Sequence, residues 1–448
     1  MIPTYESILG TIGLVGIWRP LILSLIVSSI VLYVLSGRLA DAATSTKLQT
    51  GGHALLGLAA LLGLPLFAEA FDTLGHGFVK LSSFTAQGAT FILGDVARAD
   101  KLGFIFAFQV LPTVIFFAAF MAILYHLGIM QAIVRAMAIA ITKVMRVSGA
   151  ETTSVCASIF IGQTEAPLTV RPYISKMTDS ELLTMMIGGM AHIAGGVMIA
   201  YITMLGGPDP EQQAIFAKHF LAASIMAAPA TLLIAKILVP ETGEPLTRGT
   251  VKVEVEKTAA NVIDAAAAGA SDGMKLAINI AAMLLAFIAL IALLNAVIGW
   301  FGDVSGINGM LSAGKETPVV LSLNYILGQI LAPIAWIIGV PWSEAQTAGA
   351  LIGQKVVLNE FIAYSELAAI PVGEGAGAIS AHTKLIMTYA LCGFANFASI
   401  AIQIGGIGGL APDRRTDLAR FGMRAVLGGS IATFMTATIA GVLSQFAG

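Results

Sequence analysis

The sequence predicts an all-α polytopic membrane protein, with about eight transmembrane helices, two opposed re-entrant hairpins, inverted repeats and interfacial helices. Three observations carry this. The chain is 57% hydrophobic and only 11% charged, where a soluble domain carries about 25% charged residues. Apolar runs recur, each of about 20 residues, the length that crosses a bilayer as a helix. Two strongly apolar neighbourhoods are interrupted by clustered polar groups, Ile161-Gly162-Gln163-Thr164-Glu165-Ala166-Pro167-Leu168 and Leu358-Asn359-Glu360-Phe361. Polar groups at membrane depth cost free energy unless paired, so such clusters mark function.

Composition also excludes several classes. The net charge of −2 and the lack of a basic patch argue against a nucleic-acid partner. Cys156 and Cys392 both lie in apolar segments, which reads as packing and not as a disulfide framework. No Gly-rich loop ending in Lys and Ser or Thr is present, so nucleotide-driven transport is not expected. No cofactor is expected beyond a coupling ion.

The first apolar run, 21–35, has only Arg19 as a preceding base, beside Glu6. That suits a first membrane helix better than a cleaved signal. A second run, 53–67, ends at Glu69 and Asp72, and an amphipathic surface segment is expected up to Lys101. Residues 104–127 read as a clear span. From 130 to 147, Arg135, Lys143 and Arg146 sit among apolar residues at helical spacing, the pattern of a helix lying in the interface.

From 154 to 174 the chain is apolar at both ends and polar in the middle, with Pro167 and Pro172. A hairpin entering and leaving on one face accounts for this, provided its irregular backbone lines a cavity. Spans follow at 181–204, broken at Gly188-Gly189 and Gly195-Gly196, and at 216–239. The next stretch, 240–272, reads as a polar loop with an alternating, strand-like piece at 251–256 and a linker-like alanine run at 265–268. The second half reads as spans at 274–300 and 321–340, a hairpin at 341–370, a span interrupted at 393–399 and a last span at 423–443. Glu344 and the histidines at 53, 76, 126, 219 and 382 fall at peripheral positions, whereas His192 lies inside the fourth span.

The halves match in type, and Ile161-Gly162-Gln163 recurs as Ile352-Gly353-Gln354. Paired interrupted segments point to a transporter site at the midplane. Clusters around Arg38, Arg135–Arg146, Arg248 and Arg414–Arg424 place those loops in the cytoplasm and both termini outside. The expected organisation is scaffold helices in 1–127, a first transport repeat in 128–240, a cytoplasmic loop in 241–273, a scaffold helix in 274–300 and a second transport repeat in 301–448.

With these residues in view, the chain resembles the concentrative nucleoside transporter family. The motifs are Gly162-Gln163-Thr164-Glu165-Ala166-Pro167-Leu168, Asn359-Glu360-Phe361-Ile362-Ala363-Tyr364, and the segment from Ala390 through Gly393-Phe394-Ala395-Asn396 to Ala411-Pro412. The resemblance implies an ion-coupled symporter that imports nucleosides by alternating access across a bacterial cytoplasmic membrane, working as a homotrimer. It implies that Gln163, Thr164, Glu165 and Val197 face the nucleobase and that Glu360, Asn396 and Ser399 bind the ribose, with Gly162, Asn359 and Phe394 lining the site. The residue types suit this: amide and hydroxyl groups match the donors and acceptors of a base edge, and a carboxylate accepts strongly from sugar hydroxyls.

The ion site departs from the family. Where sodium-coupled members have an Asn before the first hairpin tip and a Ser in the fourth span, this chain has Ser158 and His192. The remaining ligands would be backbone carbonyls near Ile161 and Ile193. Sodium prefers oxygen donors, and His titrates near neutral pH, so the departure favours a proton; sodium coupling is the alternative, as is a neutral His192 bonded to a freed backbone carbonyl. A channel would instead need pore-lining rings, and an intramembrane hydrolase built on Ser158 and His192 has no oxyanion-hole pattern to support it.

Overall fold

The computed structural model describes residues 65–249, 259–314, 318–373, 375 and 377–445. The expected helix at 21–35, the run at 53–64 and the strand at 251–256 lie outside the described residues. Helix α1 spans Pro65–Leu93. It is one 29-residue helix where the sequence suggested the end of a span and a surface segment. A Cβ on its Gly75 would lie 3.2 Å from the Ala214 carbonyl, so this helix packs against the interior.

The span that follows runs over Phe106–His126, its main part being α2 (Leu111–His126). Helix α3 (Ile129–Met145) buries Met130, Val134, Ala138 and Thr142. Their spacing of four puts them on one face, with Arg135 and Lys143 off it, as expected of an interfacial helix. Helix α4 (Gly149–Ser158) opens with a capping box between Ser148 and Glu151. Its partner arm is a 3-10 run, Ala166–Lys176, because Pro167 and Pro172 deny it regular α-helical bonding.

The fourth span is two helices, α5 (Asp179–Ala191) and α6 (Gly195–Gly206). The break is at His192–Ala194 alone. Gly188-Gly189 does not interrupt α5; these glycines make room for Val155 of α4 and for Gln163. Helix α7 (Pro210–Leu238) completes this half.

Helix α8 (Val262–Val304) is 43 residues long. The alanine run at 265–268 is therefore helix and not linker. Alanine is the best helix former, and Asn261 caps the start by accepting from the Ile263 and Asp264 N–H groups. Helices α2 and α8 meet through small residues: a Cβ on Gly269 would lie 2.6 Å from the Ala122 methyl carbon.

In the second half α9 (Ile307–Ser312) is short. Helices α10 (Leu323–Ile337) and α11 (Trp342–Val357) are bent by 115° at their junction. Helix α12 (Glu360–Ala369) follows the tip at Leu358–Asn359. The interrupted span is α13 (Ala381–Ala390) and α14 (Phe397–Leu410). The last helix, α15 (Arg415–Ser444), starts eight residues before the predicted span, so Arg420 and Arg424 lie on helix.

Among the described residues, five helices are long and apolar enough to cross a membrane, or six if the bent α10–α11 pair counts as one span. The protein is a polytopic helical membrane protein. An ion-pair cluster ties the base of the first hairpin to α5 and α7: Lys236 lies 2.7 Å from Glu151 and 3.2 Å from Glu241, and Ser148 donates to Glu181 at 2.5 Å. Arg414 and Arg420 add ion pairs to Asp179 at 3.3 and 2.7 Å. These links make hairpin 1, α5, α7 and α15 one unit.

Candidate functional site

The two polar tips face one cavity of about 650 Å³. Gln163, Thr164 and Glu165 come from the first tip, Val197 from α6, Asn359 and Glu360 from the second tip, Phe394 and Asn396 from the break before α14, and Ser399 from the first turn of α14. Gly162 and Ile161 also line it. Residues separated by more than 230 positions in the chain are thus brought to one volume.

Local backbone chemistry places each group. Asn359 caps α12 by accepting from the Ile362 N–H at 3.0 Å, which sets Glu360 in the first turn, where the helix dipole favours a carboxylate. Asn396 caps α14 in the same way, accepting from the Ser399 N–H at 2.9 Å. The break before α14 needs Gly393, whose φ of +155° is one that side-chain-bearing residues rarely adopt and whose missing Cβ would lie 2.7 Å from the Met190 carbonyl. The two broken spans therefore touch at their breaks. Gly195 of α6 donates to the Phe160 carbonyl at 3.0 Å, docking the α5–α6 break against the first hairpin tip.

Glu360 is almost wholly buried. One oxygen accepts from the Tyr201 hydroxyl at 2.9 Å and the other from the Asn396 amide at 3.2 Å. Tyr201 sits one helical turn beyond Val197 on the same face of α6. Glu165 heads the 3-10 run but makes no capping bond; its carboxylate is exposed to the cavity and folds over Gly162, where a Cβ would overlap it. Gln163 donates to the Ser399 hydroxyl at 3.0 Å and accepts from the Gln403 amide at 3.1 Å.

The opposite wall is different. Helices α2 and α8 contribute Val114, Ala118, Met121, Leu276, Ile280 and Met283, which offer no side-chain hydrogen bonds. The polar groups these two helices add are Tyr125, His126 and Asp272. The chemistry available is hydrogen bonding to a neutral, polyhydroxylated or amide-bearing solute, held by one wall and merely covered by the other.

Not every predicted residue reaches the cavity. Ser158 donates to the Ser154 carbonyl within α4 at 3.0 Å. His192 is buried at the α5–α6 break with Nδ1 2.7 Å from the Gly188 carbonyl; a carbonyl only accepts, so Nδ1 carries the proton. Ile193 is buried beside it. Neither Ser158, His192 nor Ile193 lines the cavity.

Some residues had other places than expected. His126 lines the cavity, and His219 is buried with Nδ1 3.1 Å from the Tyr389 hydroxyl, so neither is peripheral. Gln354 is not a counterpart of Gln163. It lies in α11 before the tip, bonded to Asn324 at 2.8 Å and to Glu366. Sequence reasoning missed Tyr201, Gln403 and Lys355. Lys355 is fully buried, donating to the Ala390 carbonyl at 2.9 Å and to Thr433 at 3.0 Å. The available signal was a polar residue inside an apolar helical run, one turn from a residue already singled out.

The chain is similar to known proteins along most of its length. Residues 219–441 match the model of the Na+ dependent nucleoside transporter C-terminus, and residues 107–208 match a nucleoside recognition model called Gate. The chain is 43% identical to an uncharacterised transporter of Haemophilus influenzae, over 94% of this chain and 97% of that one. It is 40% identical to the nucleoside permease NupC of Helicobacter pylori, over 85% of this chain and 87% of that one. It is 39% identical to sodium/nucleoside cotransporter 1 of Mus musculus, over 87% of this chain but 59% of that one. Among solved structures, a doubly substituted variant of CNTnw in an outward-facing state gives a TM-score of 0.78 at 40% identity, covering 95% of this chain and 98% of that one. CNTnw in an inward-facing substrate-bound state gives 0.74 at 42% identity, covering 85% of this chain and 88% of that one.

Proposed function

The chain belongs to the concentrative nucleoside transporter family, and we propose that it imports nucleosides across a bacterial cytoplasmic membrane, with the base held at the first hairpin tip and the ribose at the second. The observation that carries this reading is the meeting of Gln163, Thr164, Glu165 and Val197 with Glu360, Asn396 and Ser399 in one cavity. Gln163 and Thr164 supply donors and acceptors for a base edge, Glu165 adds a charged acceptor directly or through water, and Val197 packs against the base. Glu360 accepts from the ribose hydroxyls, with Asn396 and Ser399 completing the pattern.

Transport follows from the unequal walls. The hairpin tips and broken spans form a transport unit that carries every binding group; α2 and α8 form a scaffold that presents an apolar face to it. Sliding the unit along that face opens the site to one side and then the other without exchanging polar partners on the scaffold, so the barrier stays low while ions and free solute are excluded. In this reading the scaffold takes in the whole of α8, which begins at Val262. Homotrimeric assembly, as in the family, is part of the reading.

A coupling ion drives accumulation. We take it to be the proton, because His192 stands where sodium-coupled members place a hydroxyl and Ser158 turns away into its own helix. Sodium held by backbone carbonyls near Ile161 and Ile193 is the competing reading. The test is uptake of radiolabelled nucleoside into sealed proteoliposomes, with counterflow and analysis of the recovered solute. Accumulation above the outside concentration, stimulated by trapped unlabelled nucleoside and yielding unchanged nucleoside, is expected. Equilibration without counterflow would mean a channel, and a cleaved product would mean an enzyme.

A further inference from the structure

We propose that Gln403 is a positioning residue that fixes which end of the Gln163 amide faces the substrate, and so sets nucleobase preference. The argument is one of donors and acceptors. Gln403 is fully buried in α14. Its Nε2 lies 2.9 Å from the Met186 carbonyl of α5. A backbone carbonyl can only accept, so this end of Gln403 is the NH₂ group and the amide cannot be turned over. The same nitrogen lies 3.1 Å from Gln163. The atom it meets must be an acceptor, so Gln163 turns its oxygen towards Gln403.

The NH₂ of Gln163 is thereby directed to the other side, where it donates to the Ser399 hydroxyl at 3.0 Å. Ser399, having accepted, keeps its own O–H free to donate. Met186, Gln403, Gln163 and Ser399 form one directional chain. At its end the cavity wall displays donors: the second N–H of Gln163 and the hydroxyl hydrogen of Ser399. Reversing the Gln163 amide would display an acceptor in place of that N–H.

Packing shows that the arrangement is built in. Ser399, Gln403 and Gly406 share one face of α14, spaced by four and three. A Cβ on Gly406 would lie 2.7 Å from the Thr164 methyl carbon. A Cβ on Gly189 of α5 would lie 2.8 Å from the Gln163 Cβ and 2.8 Å from the Gln403 Nε2. The first hairpin tip is thus seated between a glycine of α5 and a glycine of α14, with Gln403 between them as the polar pin. Among the described residues the Oε1 of Gln403 accepts no hydrogen bond, so the polar contacts of this buried side chain are those of its NH₂ group.

This inference rests on the reading that Gln163 faces the nucleobase, and the test separates the two. Uridine and cytidine share a ribose and exchange donor for acceptor at two adjacent base positions. Their binding is measured by calorimetry on purified full-length protein for the parent, Gln163→Ala, Gln403→Met and Gly189→Ala. Gln403→Met keeps the volume and removes the amide; Gly189→Ala displaces the pair by a second route should the first variant misfold. Losing one fixed neutral hydrogen bond is expected to change the uridine-to-cytidine affinity ratio by about threefold to tenfold in Gln163→Ala and in both other variants. A ratio that moves in Gln163→Ala but stays within about twofold of the parent in Gln403→Met and Gly189→Ala overturns the role of Gln403. An unchanged ratio in Gln163→Ala overturns instead the placement of the base at Gln163.

Discussion

Replacing Glu360 by Gln isolates the charge of the ribose-facing group without changing its size. The two oxygens of the native carboxylate are each engaged once inside the protein, by Tyr201 at 2.9 Å and by Asn396 at 3.2 Å. A carboxylate has about four lone-pair sites, which leaves about two for sugar hydroxyls. In the variant the Asn396 amide, a donor, requires the remaining oxygen on its side. The new NH₂ then faces Tyr201, whose hydroxyl can rotate to accept. The fold therefore tolerates the change, and an amide is cheaper than a carboxylate at this depth. The substrate loses a charge-assisted acceptor, which contributes about 1.5–3 kcal/mol, so nucleoside affinity should fall by about tenfold to a hundredfold. Calorimetry on purified protein measures this, and a nucleoside lacking the contacted hydroxyl should lose less affinity in the variant than in the parent. Parent-like affinity in a folded Glu360→Gln protein, or an equal loss for the deoxynucleoside, would refute the assignment.

Other outcomes follow from the same geometry. The cavity is lined by Glu165, Glu360 and Asp272 and by no Lys or Arg among the described residues, so a nucleoside monophosphate should fail to displace its parent nucleoside in a competition assay, like charges at close range being repulsive. Proton coupling predicts uptake that persists without sodium, rises as the outside pH falls and collapses with a protonophore, and a His192→Ser variant that loses the pH response; an absolute sodium requirement with no protonophore effect would contradict it. Gly349 of α11 lets α10 approach so closely that a Cβ there would lie 2.7 Å from the Ala332 nitrogen and 2.8 Å from the Gly328 carbonyl. Gly349→Ala should destabilise the protein by about 1–3 kcal/mol, read as a lower thermal midpoint in detergent; an unchanged midpoint would mean that the two helices part without cost.

Much of the site was legible in the sequence because its physics is local. A carboxylate such as Glu165 or Glu360 within an apolar run is conspicuous, and Asn359 and Asn396 announce helix starts wherever they precede an apolar stretch. What was not legible depends on faces and crossings. Gln403 differs from any other intramembrane glutamine only because α14 turns it towards Met186 and Gln163. Tyr201 becomes a partner of Glu360 only when α6 and α12 meet. The likeness of Ile161-Gly162-Gln163 to Ile352-Gly353-Gln354 misleads for the same reason: the first ends at a tip, the second points across a helix pair to Asn324 and Glu366. The alanine run of α8 looked like linker because it lacks large apolar residues, yet small residues are what a close crossing with α2 requires.

The central claim is that a nucleoside lies across the two tips with its base at the first and its ribose at the second. A crystal of the complex with 5-bromouridine tests it most directly, because the anomalous signal of bromine marks the base alone. The account predicts one peak against Gln163, Thr164 and Val197. A peak beside Glu360 and Asn396 would reverse the orientation, and a peak outside the cavity would contradict the site itself.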